Sequence, residues 1–149
     1  MTGTASDSRG DSIEIFSTTA DVGLRIRATA IERLYFQAVE GFNRMVFEGL
    51  DLPTPGDGEG DPVRFRHLGD SCENVLVNLL SELVFYLNSR GEYAADMQIV
   101  SAGPMFLEAV LLFVPARVPP ILEIKSVTYH NLKVTRKGGM FQTEIIFDI

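Results

Sequence analysis

The residues of this sequence whose types and spacing could do chemistry are carboxylates near its two ends. The last ten residues, MFQTEIIFDI, place Asp148 beside Ile149 and its main-chain carboxylate. Hard cations such as Ca²⁺ and Mg²⁺ prefer clustered oxygen ligands, and each of these carboxylates supplies two oxygens. Asp21 is the best candidate for a third carboxylate, because it lies in the tight turn TADVG beside the hydroxyl groups of Thr18 and Thr19.

Each aspartate also has a simpler interpretation, and a lysine is linked to both. The Asp21 side chain could cap its own turn, and Asp148 could be a solvated strand end. Strand alternation places Lys125 on one face with Val127 and Tyr129, in line with core residues. Lys125 would then either extend its ammonium to solvent at a sheet edge or reach the two aspartates. An acidic cluster with an adjacent lysine would suit a phosphate or a metal-bound phosphate.

Familiar catalytic motifs are absent from the sequence. It contains no G-x-S-x-G, H-E-x-x-H or C-x-x-C motif and no phosphate-binding glycine loop. The only histidines, His67 and His130, lack the spacing of a zinc site. Cys72, the only cysteine, is expected to pack as a small hydrophobic residue near the start of a helix. A metal-dependent phosphohydrolase using the acidic cluster therefore lacks a convincing general base.

Composition limits the classes of partner. The chain has 149 residues, which favours one domain, and 13 Lys and Arg against 20 Asp and Glu give a net charge of −7. Because nucleic-acid affinity depends on neutralising phosphates, we expect no strong direct binding of RNA or DNA, although a local basic patch is compatible with this charge. No signal sequence and no apolar run of about 18 residues is present. We therefore expect a cytoplasmic protein without a membrane segment.

Hydrophobic periodicity predicts the elements that must position these residues. Residues 1–12 are expected to be a disordered tail, and residues 13–149 a single α+β domain. Two amphipathic helices are predicted, one after a Thr29–Glu32 capping box and one from Asp70 or Ser71 to the residue before Gly91. About eight strands would form a layered, mixed sheet. Their sequences are IEIF, LRIRAT, VRFRH, DMQIVSA, MFLEAVLLFV, LEIKSVTYH, LKVTRK and MFQTEIIFDI.

The last strand is predicted to bury one face and expose the other. Alternation places Phe141, Ile145, Phe147 and Ile149 on the core face, and Asp148 on the outer face. The Ile149 side chain would then anchor the end of the strand in the core.

Three segments resemble the signatures of the archease family. TTADVGL, IKSVTYH and the final FDI are similar to the family's H-T-A-D-V-G, V-K-A-V-T-Y-H and D-I. YFQAVEGFNRMV and ENVLVNLLSELVFYLN are similar to its two helices. The resemblance extends from Ile13 to Ile149, and it implies a β-rich α+β fold with two helices.

The resemblance also implies the roles of particular residues. Asp21, Asp148 and the Ile149 carboxylate would bind a divalent cation, Ca²⁺ or alternatively Mg²⁺ or Mn²⁺. Lys125 would act in activation by fixing the geometry of this site or by contacting a nucleotide phosphate. Thr18, which replaces the family's usual histidine, and His130, which closes the VTYH motif, would support the site from outside the coordination sphere.

The function implied by the resemblance is assistance rather than catalysis. Archease proteins assist the GTP-dependent 3′-phosphate RNA ligase of tRNA splicing by promoting its guanylylation and its multiple turnover. An acidic protein could dock on such a basic, RNA-binding partner. A general chaperone or interaction module, a role also suggested for the family, is the alternative function.

Overall fold

The computed structural model describes residues 3–6, 10–52, 55–56 and 58–149. In this part of the chain, two helices and nine strands form, which confirms the α+β class. The strands are β1 Gly3–Ser6, β2 Ser12–Ser17, β3 Asp21–Ala28, β4 Asp61–Leu68, β5 Glu92–Gly103, β6 Phe106–Pro115, β7 Ser126–Val127, β8 Thr135–Lys137 and β9 Met140–Asp148. The helices are α1 Ile31–Phe47 and α2 Cys72–Arg90.

The strands form two sheets rather than one. The larger sheet has the order β1-β2-β3-β9-β7, with β8 also paired to β9, and the smaller sheet has the order β4-β6-β5. Every strand pair that the structure describes is antiparallel, so the predicted mixed sheet is wrong. The physical reason is that short turns, such as those after Gly103 and at Gly138 and Gly139, can join only antiparallel neighbours.

Both helices pack against both sheets. Helix α1 contacts β2 and β3 of the larger sheet and β5 of the smaller one, whereas α2 contacts the smaller sheet and β7. The rings of Phe42 in α1 and Phe147 in β9 lie 5.9 Å apart, and both side chains are fully buried. The apolar stripes predicted for the helices therefore form the core. In the described residues, no helix is long and apolar enough to cross a membrane.

The two helices begin in different ways. In α2, the Asn74 amide donates to Oγ of the cap residue Ser71 at 3.0 Å, as predicted. The predicted capping box at the start of α1 is wrong, because the cap residue is Ala30 and the Thr29 amide donates to Asp11 Oδ1 at 2.8 Å. Helix α1 starts one residue too late for the Thr29 side chain to cap it.

The predicted disordered tail is also wrong where the structure describes it. Strand β1 pairs with β2, with Gly3 opposite Ile15 and Ser6 opposite Ser12. The Asp11 side chain is only 2% exposed, and it accepts hydrogen bonds from the Thr29 amide and from Arg33 Nε. Polar residues can pair here because the edge of β2 offers free backbone groups. Residues 1–2 and 7–9 lie outside the described part.

The strands predicted near residues 122–137 are much shorter than expected. Only Ser126–Val127 and Thr135–Lys137 pair with β9. Between them the chain turns at Asn131, where φ is 55°. The Val134 amide donates to Glu73 Oε2 at 2.7 Å, so the Glu73 carboxylate binds this segment. Side-chain contacts of this kind have no periodic signal in the sequence.

Candidate functional site

The candidate site begins with Asp21 and Asp148, which lie directly opposite each other. Asp21 is the first residue of β3, Asp148 is the last residue of β9, and the antiparallel register pairs them. Directly opposed residues project from the same face of a sheet, with Cβ atoms about 4.5–5.5 Å apart. The structure therefore brings together the two aspartates that are 127 positions apart in the chain, although neither is deeply buried.

Ser126 extends this row onto a third strand. It lies opposite Asp148 in the pairing of β7 with β9, and its hydroxyl donates to Asp148 Oδ2 at 3.0 Å. The sequence did not identify Ser126, because only the pairing of β7 with β9 places it beside Asp148. Three oxygen-bearing side chains thus lie side by side at this end of the sheet.

Thr18 closes the turn that carries Asp21. The Thr18 amide donates to the Asp21 carbonyl at 2.9 Å, and the Asp21 amide donates to Thr18 Oγ1 at 3.2 Å. The threonine hydroxyl therefore makes the capping interaction that was the simpler role considered for the Asp21 side chain. Within the described residues, no hydrogen bond or ion pair engages the Asp21 carboxylate.

Lys125 reaches Asp148 through its main chain. The Lys125 amide donates to the Asp148 carbonyl at 2.8 Å, but no carboxylate in the described ranges lies within ion-pair distance of its ammonium. The prediction that Lys125 lies in line with core residues is wrong, because Lys125 is exposed and its neighbour Ile124 is fully buried. Strand β7 has only two residues, so alternation does not extend back to Lys125.

The Ile149 side chain does not anchor β9 in the core, contrary to the prediction. It is 39% exposed, because the strand ends at Asp148 and no partner covers the next position. Phe147 performs the anchoring role, since it is fully buried against Phe42.

The hydrogen-bond contacts of His130 do not include the two aspartates. Its amide donates to Thr128 Oγ1 at 3.2 Å, and its exposed ring lies 3.3 Å from the side-chain amide of Asn131. Neither of these contacts joins His130 to Asp21 or Asp148. Thr18, in contrast, contacts Asp21 directly.

Side chains of α2 hold the segment that carries Ser126 and His130. Asn74 Nδ2 donates to the Tyr129 hydroxyl at 3.0 Å, and Asn74 Oδ1 lies 2.9 Å from His67 Nε2. Together with the bond between Glu73 and the Val134 amide, these contacts connect the smaller sheet, the start of α2 and the segment after β7. Sequence patterns could not identify Asn74, because its partners lie on separate elements.

Cys72, at the start of α2, lies in surroundings that disfavour its thiolate form. Burial raises the pKa of its thiol, and the nearby Glu73 carboxylate adds to that increase, whereas the hydrogen bond with Tyr35 opposes it. The Tyr35 hydroxyl lies 3.6 Å from the sulfur and donates to the Gly103 carbonyl at 2.7 Å. This pair therefore packs the α2 start against the β5–β6 turn, as expected for a structural cysteine.

We call Asp21, Asp148 and Ser126 the acidic row. These side chains have the chemistry of a cation site but do not form a complete set of ligands. Like charges directly opposite each other destabilise a sheet, and a divalent cation would relieve the repulsion between Asp21 and Asp148. In the described ranges, no group of three or more His, Cys, Asp or Glu side chains could hold a metal ion. A cation here would need further oxygens, and the Ser126 hydroxyl already lies 3.0 Å from Asp148 Oδ2.

Sequence comparison relates this chain to proteins of known family. Residues 14–149 match the model of the Archease protein family. The Protein archease of Thermoplasma acidophilum is 26% identical over 147 residues, which cover 96% of this chain and 97% of that protein.

Two solved structures share the fold. A crystal structure of an archease from Thermotoga maritima, described as a possible chaperone, has a TM-score of 0.62 at 22% identity and covers 90% of this chain and 94% of its own. The solution structure of Methanobacterium thermoautotrophicum protein 1598 has a TM-score of 0.67 at 19% identity and covers 92% and 98%, respectively. These similarities confirm the α+β architecture.

Proposed function

The chain belongs to the archease family, and we propose that it activates a GTP-dependent 3′-phosphate RNA ligase without being the catalyst itself. In this role, the protein docks on the ligase in tRNA splicing or RNA repair. It promotes transfer of GMP from GTP to the ligase, with release of pyrophosphate, and so supports repeated turnover. Family membership supports the class of function, and the acidic row supports the site.

The observation that carries this function is the direct opposition of Asp21 and Asp148. Two carboxylates held side by side at a sheet end cost stability, and neither is neutralised by a described cationic side chain. Such an arrangement is typical of a functional site, in which a ligand supplies the missing positive charge. The ligand could be a divalent cation shared with a nucleotide.

Asp21, Asp148 and the Ile149 carboxylate would hold that cation, with Ca²⁺, Mg²⁺ or Mn²⁺ as candidates. A bound cation would supply positive charge beside phosphate groups of GTP or of the guanylylated ligase. Lys125 would contact a phosphate with its exposed ammonium, while its main chain fixes the end of β9. Thr18 would position Asp21 through the turn.

Charge complementarity supports the proposed partner. The chain carries a net charge of −7, whereas a protein that binds RNA presents basic surface. Opposite charges accelerate and orient the association of two proteins. The acidic end of the larger sheet could therefore be presented near the partner's nucleotide site.

The test is guanylylation of the ligase with and without this protein. The ligase, radiolabelled GTP and the purified chain are mixed without RNA, and GMP-labelled ligase is quantified. We expect wild type to accelerate labelling, and Asp21→Asn and Asp148→Asn to lose most of that acceleration. Asp96→Asn is the matched control, because Asp96 is an exposed strand aspartate on the smaller sheet. Equal activation by all three variants would contradict a role for the acidic pair.

A chaperone or interaction module is the second candidate, and one observation favours it. Four apolar side chains are exposed near the β5–β6 turn and the end of β4, and they are Leu68 at 81%, Val100 at 58%, Met105 at 53% and Phe106 at 38%. Exposed apolar clusters mark interaction surfaces. If this function is correct, Leu68→Ser with Met105→Ser should abolish suppression of client aggregation, and Asp21→Asn should leave it unchanged.

A further inference from the structure

The lysine side chains of this acidic chain are clustered in one segment. All three lysines, Lys125, Lys133 and Lys137, lie within residues 125–137, a segment that also contains Arg136 and no Asp or Glu. This segment includes β7 and β8, which pair with β9 on the larger sheet. A chain with a net charge of −7 thus places a locally basic strip along one sheet edge.

Strand register extends this strip across the sheet. Gln142 in β9 lies opposite Arg27 in β3 and opposite Thr135 in β8, so the three side chains project from one face. Lys137 lies opposite Met140, two residues from Gln142 along β9, and therefore projects from the same face. This face also carries Asp148, and it is the outer face of the larger sheet.

A groove on this outer face is lined by the cationic side chains of Arg27 and Lys133. It has a volume of about 260 Å³, and its lining includes Arg27, Lys133, Thr135 and Gln142. Arg27, Lys133 and Lys137 are exposed, and within the described residues they form no ion pair. We call the groove lined by Arg27 and Lys133, together with Lys137 on the same face of the sheet, the basic groove.

The neighbouring arginine behaves differently. Arg25 also lines the groove, but it forms ion pairs with Glu14 and, at 2.9 Å, with Glu144. It is therefore already neutralised by carboxylates on both neighbouring strands. Glu144 itself lines the groove, and the cluster of Arg25 with Glu14 and Glu144 carries a net charge of −1. Positive potential in the groove therefore comes from Arg27 and Lys133, with Lys137 on the same face of the sheet.

We propose that the basic groove binds the phosphodiester backbone of a single RNA strand. Guanidinium and ammonium groups bind phosphate oxygens, and the Thr135 hydroxyl and Gln142 amide can add hydrogen bonds. The groove is smaller than the roughly 300–1,000 Å³ of an enclosed small-molecule pocket, so it suits a chain that crosses it better than a whole nucleotide. The choice of RNA over an acidic peptide rests on the proposed function.

The position of the basic groove relates it to the acidic pair. Arg27 lies six positions after Asp21 along β3, which corresponds to about 20 Å at about 3.4 Å per residue. Both lie on the same face, so an RNA strand in the basic groove would approach a ligase docked at the acidic end. The two sites would bind different groups, phosphodiesters at one end and a cation with its phosphate at the other.

Fluorescence anisotropy of a labelled oligouridylate tests this proposal with the full chain alone. At about 50 mM salt, Arg27→Gln/Lys133→Gln should bind about tenfold more weakly than wild type, and its log–log salt slope should be smaller by about 1.4. Arg64→Gln/Arg66→Gln is the matched control, because both arginines are exposed on β4 of the smaller sheet. This control should bind as wild type does.

Two further measurements separate the outcomes. The charge-conserving Arg27→Lys/Lys133→Arg should keep both affinity and salt slope, and thermal unfolding should show each variant to be folded. Equal binding by wild type and the glutamine variant, or tighter binding of poly-glutamate than of RNA, would overturn the proposal. Guanylylation without RNA should be unaffected by the glutamine variant, so a failure of ligase activation remains distinguishable from a failure of RNA binding.

Discussion

Asp21 and Asp148 face each other across the pairing of β3 with β9, at the end of the larger sheet. Like charges in this position repel, and neither carboxylate has a described cationic partner. The pair therefore lowers the stability of the fold in the absence of a ligand. We therefore propose that function rather than folding accounts for its position at a sheet end, and measurements of stability test this proposal.

Neutralising one aspartate should stabilise the protein. We expect Asp148→Asn to raise the free energy of unfolding by about 0.2–1 kcal/mol, because it removes the repulsion while an amide oxygen can still accept from Ser126. Urea denaturation at low salt measures this change. Asp96→Asn is the control and should change the free energy less, since Asp96 lies opposite the apolar Leu112. A destabilised Asp148→Asn would contradict unrelieved repulsion.

A bound divalent cation should make the wild-type protein more stable than its asparagine variants. Ligand binding to the folded state alone stabilises it by about 2.7 kcal/mol at a hundredfold excess over Kd. Adding Ca²⁺, Mg²⁺ or Mn²⁺ should therefore raise the melting temperature of wild type, and the effect should be lost in Asp21→Asn. Differential scanning fluorimetry with each metal, and with added chelator, identifies the preferred ion. No metal-dependent shift in wild type would contradict a cation site.

Sequence patterns were sufficient for the elements that repeat a simple period. They predicted both helices and an outward-facing, exposed Asp148. They did not predict β1, and they predicted β7 and β8 as much longer strands, because these short strands form through pairing with an existing edge.

The candidate site shows the same division. Asp21 and Asp148 could be proposed from residue type and from family resemblance, but their opposition follows from a register between the first and last long strands of the larger sheet. Ser126 was missed for that reason, and alternation misplaced Lys125 and Ile149 because β7 and β9 end beside them. Non-local pairing determines these positions, and a single sequence carries little signal for it.

Acid should remove stability contributed by Asp11. Burial raises the pKa of this carboxyl, but hydrogen bonds from Arg33 and Thr29 and the charge of Arg33 outweigh burial and hold the pKa below its usual value. The contribution is therefore complete above the unfolded-state pKa of about 3.9 and is lost as the pH falls through the lower folded-state value.

Replacement of Asp11 tests this contribution. Asp11→Ala should cost about 2–3 kcal/mol at neutral pH, because it removes charged hydrogen bonds to the Thr29 amide and to Arg33. The difference from wild type should shrink below about pH 4. Urea denaturation across this pH range measures both values. A difference independent of pH would show that the Asp11 charge is not the cause.

The Cys72 thiol should react slowly with alkylating reagents. Its pKa is raised by burial, so a smaller fraction is thiolate at neutral pH than for a free cysteine. Mass spectrometry after timed iodoacetamide treatment should show slower modification of native protein than of the urea-unfolded chain. Tyr35→Phe, which removes the hydroxyl 3.6 Å from the sulfur, should slow the reaction further. Rapid native labelling would indicate an activated thiol.

A short extension after Ile149 tests the proposed role of its carboxylate. Adding Gly-Ser-Gly-Ser converts this carboxylate into a peptide bond and places the new terminal charge several residues away. We expect the extended chain to lose most ligase guanylylation and most of the Ca²⁺-dependent rise in melting temperature. The fold should remain, because β9 ends at Asp148 and the Ile149 side chain is already 39% exposed. The same four residues added before Met1 provide the control, and normal activation by the extended chain would exclude the carboxylate as a ligand.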